Sequence, residues 1–447
     1  MPVRVGMVSL GCAKNQVDAE RMLYRIQKDG YQLVSDAALS DVVVVNTCGF
    51  IQSAKEEAIE TILEFAELKK EGRIKHIIVT GCLAQRYKDE LLSEIPEADA
   101  AVGLGSNDEI CDIIKRVTEG EKVSAYGPKL HLPLTGGRVQ TTLPYYSYLK
   151  IAEGCSNCCS FCAIPQIRGK FRSVPMEELV CEAEQLAANG VTELVLIAQD
   201  STQYGTDIYG EPKLAELLRK LCRTEGLRWI RVLYCYPERM TDELLDVIAE
   251  EEKIVKYIEM PIQHINDRVL GAMRRTTTGS DIREKIRHIR ERIPGVILRT
   301  TLLVGFPGET EEEFEELSEF VQQTRFDRLG CFAYSPEEGT AAAKMDGQVD
   351  DDVKERRAEL IMEQQAVIMA ENNEKLIGRT LEVIVEGFDR YGECYFGRSA
   401  MDAPEIDGKI FFASPDRKLE MGMYVDVCIS DVMDYDLIGD VVFESAE

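Results

Sequence analysis

The sequence predicts an α/β chain in three parts: a doubly wound α/β domain over residues 1–118, a partial barrel of six βα units over 141–371, and a small antiparallel β-barrel over 374–442. Three observations predict it. Near the N-terminus, continuous β-branched runs alternate with helical apolar spacing, as in a parallel sheet covered on both faces. Downstream, a strand–helix unit recurs six times. Beyond Gly378 the pattern changes to short strands between Gly, Pro and Asp turns, which indicates a small barrel.

In the first part, Val3–Leu10, Asp41–Asn46 and His76–Thr80 read as strands, with helices over Val17–Asp29 and Ser53–Lys69. That alternation is doubly wound. Gly120, Gly127, Pro128, Pro133, Gly136 and Gly137 crowd residues 119–140 and mark an inter-domain connection. The second part offers strands at Tyr148–Ala152, Leu194–Ala198, Ile230–Tyr234, Ile254–Met260, Val296–Val304 and Arg328–Tyr334. Thr310 and Glu313 fit a capping box, and Thr241-Asp-Glu places acids in a first helical turn. Six units fall short of a closed eight-unit barrel, and active sites of such folds lie at the strand C-terminal ends. Asp350–Leu376 reads as one helix ending at Gly378. Leu381–Val385, Lys409–Phe412, Tyr424–Ile429 and Val441–Phe443 follow as barrel strands.

The 447 residues suit about three domains of roughly 150 each. No apolar run approaches the roughly 18 residues of a membrane span. Val3–Leu10 lacks the charged front and cleavage site of a secretory signal, so a cytoplasmic location is expected. Acidic residues number 79 against 52 basic, a net charge of −27. That balance disfavours an extended nucleic-acid groove and favours a cationic or small partner. Residues 374–447 alone hold 17 acidic and 7 basic residues, a net −10. The 14 cysteines, in a long chain without a secretory signal, point to metal binding or catalysis before disulfides.

Four cysteines fall within eight residues in Glu153-Gly-Cys155-Ser-Asn-Cys158-Cys159-Ser-Phe161-Cys162, directly after the first barrel strand. Zinc would take four closed ligands, or three and a water. Iron–sulfur clusters take closely spaced thiolates. Cys155, Cys159 and Cys162 have the spacing Cys-x3-Cys-x2-Cys, and here the sequence resembles the radical S-adenosylmethionine (SAM) superfamily. The resemblance implies that this trio holds a 4Fe–4S cluster whose fourth iron is chelated by SAM. Cys158 departs from the pattern and is expected to be a bystander.

A second trio is dispersed. Cys12, Cys48 and Cys82 each follow one of the first three predicted strands. Parallel strands end at one sheet edge, so the three can converge although about 35 residues separate neighbours. Gly11, Gly49 and Gly81 beside them permit close backbone approach. Three ordinary buried cysteines are the plainer reading. Gly-Cys12-Ala-Lys-Asn15, Asn46-Thr-Cys48-Gly-Phe50 and Thr80-Gly-Cys82-Leu-Ala84 resemble the N-terminal domain of the methylthiotransferases, and the last barrel resembles their TRAM domain. This resemblance implies a second 4Fe–4S cluster on Cys12, Cys48 and Cys82, with one iron open for sulfur.

Methylthiotransferases modify a transfer RNA adenosine or an aspartate of ribosomal small-subunit protein twelve. Ile197-Ala-Gln-Asp200-Ser-Thr-Gln-Tyr-Gly205, Pro261-Ile-Gln-His264, Tyr334-Ser-Pro-Glu-Glu-Gly-Thr340 and Ala403-Pro-Glu-Ile-Asp407-Gly resemble the ribosomal-protein branch. The acidic last barrel independently suits a basic ribosomal protein. The expected reaction is methylthiolation of the aspartate β-carbon, with SAM as methyl donor and radical source. A transfer RNA adenosine methylthiotransferase is the alternative, and an electron-transfer protein without catalysis is a third reading. Phe161, Gln199, Gln263, Arg299 and Gly305 are the candidate SAM contacts; the Gly305 segment reads equally as a plain turn, and Arg299 needs a partner or a ligand. His264 is either a substrate contact or structural. Lys150, Arg168, Lys170 and Arg172 lie near the cysteine loop, and Arg274, Arg275, Arg283, Arg287 and Arg290 crowd another stretch; some suit the SAM carboxylate, and most suit solvated helix faces. An electron donor such as flavodoxin or ferredoxin, no membrane, no nucleic-acid substrate and a monomeric state complete the expectation.

Overall fold

Four consecutive β-branched residues, Val42 to Val45, are fully buried because helices cover both faces of their strand. In the computed structural model, which describes residues 2–415 and 417–442, six parallel strands build this N-terminal sheet. They are β1 (Arg4–Ser9), β2 (Gln32–Val34), β3 (Val42–Thr47), β4 (His76–Gly81), β5 (Ala100–Val102) and β6 (Val123–Ala125), in the order β2-β1-β3-β4-β5-β6. Met22 and Ile26 of α1 (Ala13–Lys28) and the apolar side of helix Ile110–Thr118 cover Val42 and Val44. Ala58, Ile62 and Ala66 of α2 (Gln52–Lys70) cover Val43 and Val45. β2, β5 and β6, at three residues each, were too short for periodicity to reveal. β6 lies in the stretch read as a connection and pairs with β5. The winding reverses between β1 and β3, and doubly wound sheets bind ligands in the crevice at such a reversal.

The central sheet has the order β14-β13-β12-β11-β10-β7, all pairs parallel and each strand beside its successor. Its members are β7 (Tyr146–Lys150), β10 (Glu193–Ile197), β11 (Trp229–Val232), β12 (Ile254–Glu259), β13 (Ile297–Val304) and β14 (Arg328–Ala333). A small antiparallel pair, β8 (Ala152–Glu153) with β9 (Arg172–Ser173), brackets the cysteine loop. The first strand begins two residues earlier than its pattern suggested, at Tyr146. Both Thr310–Glu313 capping-box bonds are made, and Thr241 caps the helix that carries Asp242 and Glu243 in its first turn.

A five-stranded closed barrel follows the long helix Asp351–Glu374. It comprises β15 (Thr380–Asp389), β16 (Cys394–Ser399), β17 (Ile410–Ala413), β18 (Tyr424–Met433) and β19 (Asp436–Val441). β16 was not expected, and the closing pair β17–β19 runs parallel, so the barrel is not purely antiparallel. Phe443, expected to end the last strand, lies outside the described residues. Residues 400–407 of this barrel plug the concave side of the central sheet. Asp402 takes Arg328 at 2.6 Å, Asp407 accepts from Tyr257 at 2.7 Å, and Glu405 accepts from Tyr146 at 2.9 Å. Arg398 reaches Glu193 at 2.6 Å, which also takes Arg231 at 3.0 Å.

The N-terminal domain is fastened to the core by buried charge. Asp18 of α1 meets Lys150 of β7 and, at 3.0 Å, Arg168. Glu153 takes Lys150 at 2.7 Å and Arg168 at 2.9 Å. All four side chains are at most 1% exposed. Burial works to raise the Glu153 carboxyl, but Arg168 and Lys150 outweigh it and hold it well below the usual range. On one flank Arg138 joins Glu20 of α1 to Glu182 of the core. On the other, Glu337 takes Lys55 at 3.0 Å and Arg86 at 2.8 Å.

His264 is fully buried, accepts from the Asn266 amide at 3.0 Å through Nδ1, and lies 3.6 Å from Glu309. Burial pushes its imidazole down to about 4. The unfolded chain therefore protonates first as pH falls, so the His264 contribution is complete above about 6.5 and is lost towards 4. Urea unfolding should show the wild-type advantage over His264→Asn shrinking across that interval; a pH-independent difference contradicts the assignment. Asp18→Ala leaves cations unmatched in the joint, and a loss of about 3–5 kcal/mol is expected by the same measurement. An unchanged midpoint with unchanged slope would place Asp18 outside the load path.

Candidate active site

Cys12, Cys48 and Cys82 follow β1, β3 and β4, so two of them flank the reversal crevice and the third stands at the next strand end. The chain passes so closely there that a Cβ on Gly11 (φ +88°) would lie 2.5 Å from the Cys48 Cβ. On Gly49, a Cβ would lie 3.0 Å from the carbonyl carbon of Cys82. The three cysteine-bearing turns therefore lie side by side: Cys12 acts on the Cys48 thiol, and both act on Cys82. Burial raises Cys48, with Cys12 adding to the effect. Cys82 is pushed up to about 12 by burial, against the pull of Arg168. For Cys12, burial opposes but Lys14 and Arg168 prevail, and its thiol is lowered.

The second trio sits on the loop between β8 and the short helix Ile164–Arg168. Burial pushes Cys155 up to about 11 and Cys162 up to about 12. Several contacts shape this loop. Asn157 donates to Asp200 at 2.9 Å, and Arg239 donates to both Asp200 at 2.7 Å and the Asn157 side-chain Oδ1 at 3.0 Å. Ser160 is tied to Met273 and Ala272 through backbone oxygens at 3.0 and 2.8 Å. Arg275 lies under the Tyr236 ring at 4.4 Å and donates towards Cys159 Sγ at 3.9 Å. Cys158 is exposed and donates towards the Ser156 carbonyl, which suits a bystander.

The two trios adjoin. Cys82 packs in one apolar cluster with Ala163 and Ile167, and Ala163 directly follows Cys162. Arg168, at the end of that helix, points back across the joint to Cys82 and to Asn15 at 3.3 Å. All fourteen cysteines are free. Among the described residues no three His, Cys, Asp or Glu side chains gather tightly enough for one metal ion. Zinc at about 2.3 Å from each thiolate would draw three sulfurs into near contact; a cluster of several irons is larger and does not. Two all-thiol sets at a sheet edge and a barrel mouth thus fit iron–sulfur clusters by donor chemistry.

The candidate SAM contacts divide. Gln199 and Gln263 are half-buried at the exits of β10 and β12. Gln263 has φ +72°, held by backbone hydrogen bonds to Thr301 and Leu303 at 2.9 and 2.8 Å. Left-handed backbone at a non-glycine residue is a strain that often marks a ligand site. Phe161 packs against the apolar cluster that holds Val269, Met273, Phe306 and Tyr334. Gly305 has φ +69°, and a Cβ there would lie 2.2 Å from Lys354 Cγ, so packing alone requires glycine. Arg299 finds its partners within the protein, Glu259 at 2.6 Å and Asp407 at 3.4 Å. Among the crowded arginines Arg275 turns to the cysteine loop; Arg290 binds the carbonyls of Thr324 and Arg325 and Arg287 pairs with Glu291 on the outer helix. Asp18, Asn157, Arg239 and the clasp of Glu337 and Glu338 on Lys55, Arg86 and Tyr87 were not foreseen as parts of the site. The Ile-Pro-x-x-Arg168-Gly run next to the cysteines was the available clue.

Comparison with known proteins agrees with this geometry. Family models match in order: the uncharacterized protein family UPF0004 over residues 4–103, the radical SAM superfamily over 149–321, and the TRAM domain over 377–442. Among solved structures, the radical S-adenosylmethionine methyltransferase TsrM from Kitasatospora setae shares the fold at TM-score 0.60 and 15% identity, covering 76% of this chain and 77% of that one. A protein named ribosomal protein uS12 methylthiotransferase RimO from Thermoanaerobacter sp. is 49% identical over 98% of this chain and 99% of its own. Those of Lachnoclostridium phytofermentans and Clostridioides difficile are 50% and 49% identical, over 98% and 99% of this chain and 99% and 100% of theirs. At that identity over the full length, the chain belongs to the RimO family of radical SAM methylthiotransferases.

Proposed function

We propose that this protein methylthiolates the β-carbon of an aspartate in ribosomal protein uS12, using SAM and two 4Fe–4S clusters. The observation that supports the reading best is the meeting of two three-cysteine sets across one buried joint, Cys82 against Ala163 and Arg168. Cys155, Cys159 and Cys162 would hold the SAM-binding cluster, and Cys12, Cys48 and Cys82 the other. When bound, these groups supply a carbon radical strong enough to remove hydrogen from an unactivated carbon, together with an open iron at which sulfur is held. The β-carbon of a carboxylate offers no proton that a side-chain base near pH 7 can take, so general-base catalysis does not serve.

The chain's own residues bind, orient and shield. Asn157, Asp200 and Arg239 fix the shape of the cysteine loop before any cluster is seated. Arg275 directs an N–H at Cys159, and such bonds to cluster sulfur tune its potential. Gln199, Gln263 and Phe161 are placed to line the SAM site, with Gly305 contributing backbone only. α1 closes the mouth beside β7, with Val17 packed against the barrel interior. The acidic last barrel attracts a basic ribosomal protein and repels phosphate. We assign a cytoplasmic monomer reduced by a flavodoxin or ferredoxin; among the described residues no helix is long and apolar enough to cross a membrane.

Deleting the gene should remove a methylthio group from one aspartate of uS12, read by peptide mass spectrometry, and leave transfer RNA nucleosides unchanged. Loss of a methylthioadenosine with intact uS12 would contradict the substrate. In the reconstituted protein, replacing either trio with alanine should remove about half of the iron, and Cys158→Ala none. Iron loss in Cys158→Ala would reassign the ligands of the loop.

A further inference from the structure

Among the described residues, one buried ammonium in the site has no carboxylate within pairing distance. Lys14 is 4% exposed, lies with Nζ 3.3 Å from the centre of the Tyr234 ring, and donates to the Ala198 carbonyl at 3.4 Å. An ammonium has three donors, and these contacts leave one direction unmet. The nearest acids are engaged elsewhere. Glu259 holds Arg299 and accepts from the Tyr234 amide, and Glu153 holds Lys150 and Arg168. By contrast Arg168, Lys150, Arg231 and Arg398, all equally buried, each have a carboxylate partner. The anion that acts on it most is Cys12, which the proposed function gives to a cluster; no carboxylate of the described residues is paired with this nitrogen, and its third N–H is left for a ligand.

The position of Lys14 is informative. It stands two residues beyond Cys12, in the first turn of α1, over the exits of β10 and β11. Ala198, its carbonyl partner, immediately precedes Gln199. The interior beneath is closed on the β7 side by α1 and the plug, but not opposite. The inward residues Arg299, Thr301 and Leu303 of β13 are half-buried, and Phe332 of β14 is 53% exposed. These residues mark the less covered side of the interior.

We infer that Lys14 grips the carboxylate of the substrate aspartate, an assignment that rests on the function proposed above. With that carboxylate on Nζ, the neighbouring β-carbon lies between Cys12 and the strand ends that carry Gln199. The same contact selects an anionic side chain over a neutral amide or a base. The carboxylate of SAM itself is the other source of this chemistry, and the test separates the two.

The probes are a fluorescent uS12 loop peptide carrying the aspartate, its asparagine counterpart, and radiolabelled SAM, with the reconstituted holoenzyme. Wild type should bind the aspartate peptide about tenfold or more tighter than the asparagine peptide. Lys14→Met should bind both alike, with iron content and SAM affinity unchanged, and Lys14→Arg should restore part of the preference. A Lys14→Met enzyme that keeps the preference, or that loses SAM affinity in its place, overturns the assignment while uS12 modification by wild type stands. Wild type that neither binds nor modifies the aspartate peptide overturns the functional reading, and the role of Lys14 with it.

Discussion

The site depends on four buried charges at one joint. Asp18 comes from the first domain; Lys150, Glu153 and Arg168 come from the core. Each cation faces two carboxylates, so no member can be displaced without exposing another to low dielectric. Charges taken out of water add little net stability, but they penalise every misaligned arrangement heavily. The quartet therefore works as a registration device. It sets α1, which begins just after Cys12, against the loop that begins with Cys155. The flanking pairs, Arg138 with Glu20 and Glu182, and Glu337 with Lys55 and Arg86, resist rotation about that point.

The same economy of charge runs through the C-terminal barrel. Its acidity serves two ends. Glu382, Asp402, Glu405 and Asp407 turn to the core, where they meet Arg228, Arg328, Tyr146 and Arg299. Glu393, Glu420, Asp426, Asp431, Asp434 and Asp440 face solvent. Only the second group can steer a basic partner, over a Debye length of about 8 Å. The first group makes the barrel a plug for the concave sheet. The lone tryptophan, Trp229, stacks edge-on with Tyr424 at 4.9 Å and donates to Glu382, so the plug is sealed by apolar as well as ionic contact.

Much of this was legible in the sequence, for physical reasons. Long β-branched runs such as Val42–Val45 leave little alternative to a buried parallel strand, and parallel strands must end together. That logic placed Cys12, Cys48 and Cys82 at one edge from spacing alone. Three-residue strands such as β6 carry no usable period, so the connection was begun too early. Arg299 illustrates a different limit. A charge within a strand demands a partner, and Arg299 has one on the neighbouring strand, Glu259, and a second, Asp407, in another domain. The acidic pair Glu337 and Glu338, read from the sequence only as part of a segment resembling the ribosomal-protein branch, also clasps the first domain. Pairings between domains leave no local pattern, and Lys14 is visible as unusual only once every neighbouring acid is seen to be taken.

The central claim is that the two cysteine sets face each other across this joint and act as one site. Electron paramagnetic resonance of the reduced, fully loaded protein tests it directly. Two adjoining clusters should show spin–spin broadening and fast relaxation that vanish when either trio is replaced by alanine. Spectra that are a plain sum of the two singly loaded variants would mean that the sets stand apart, and the account would fail.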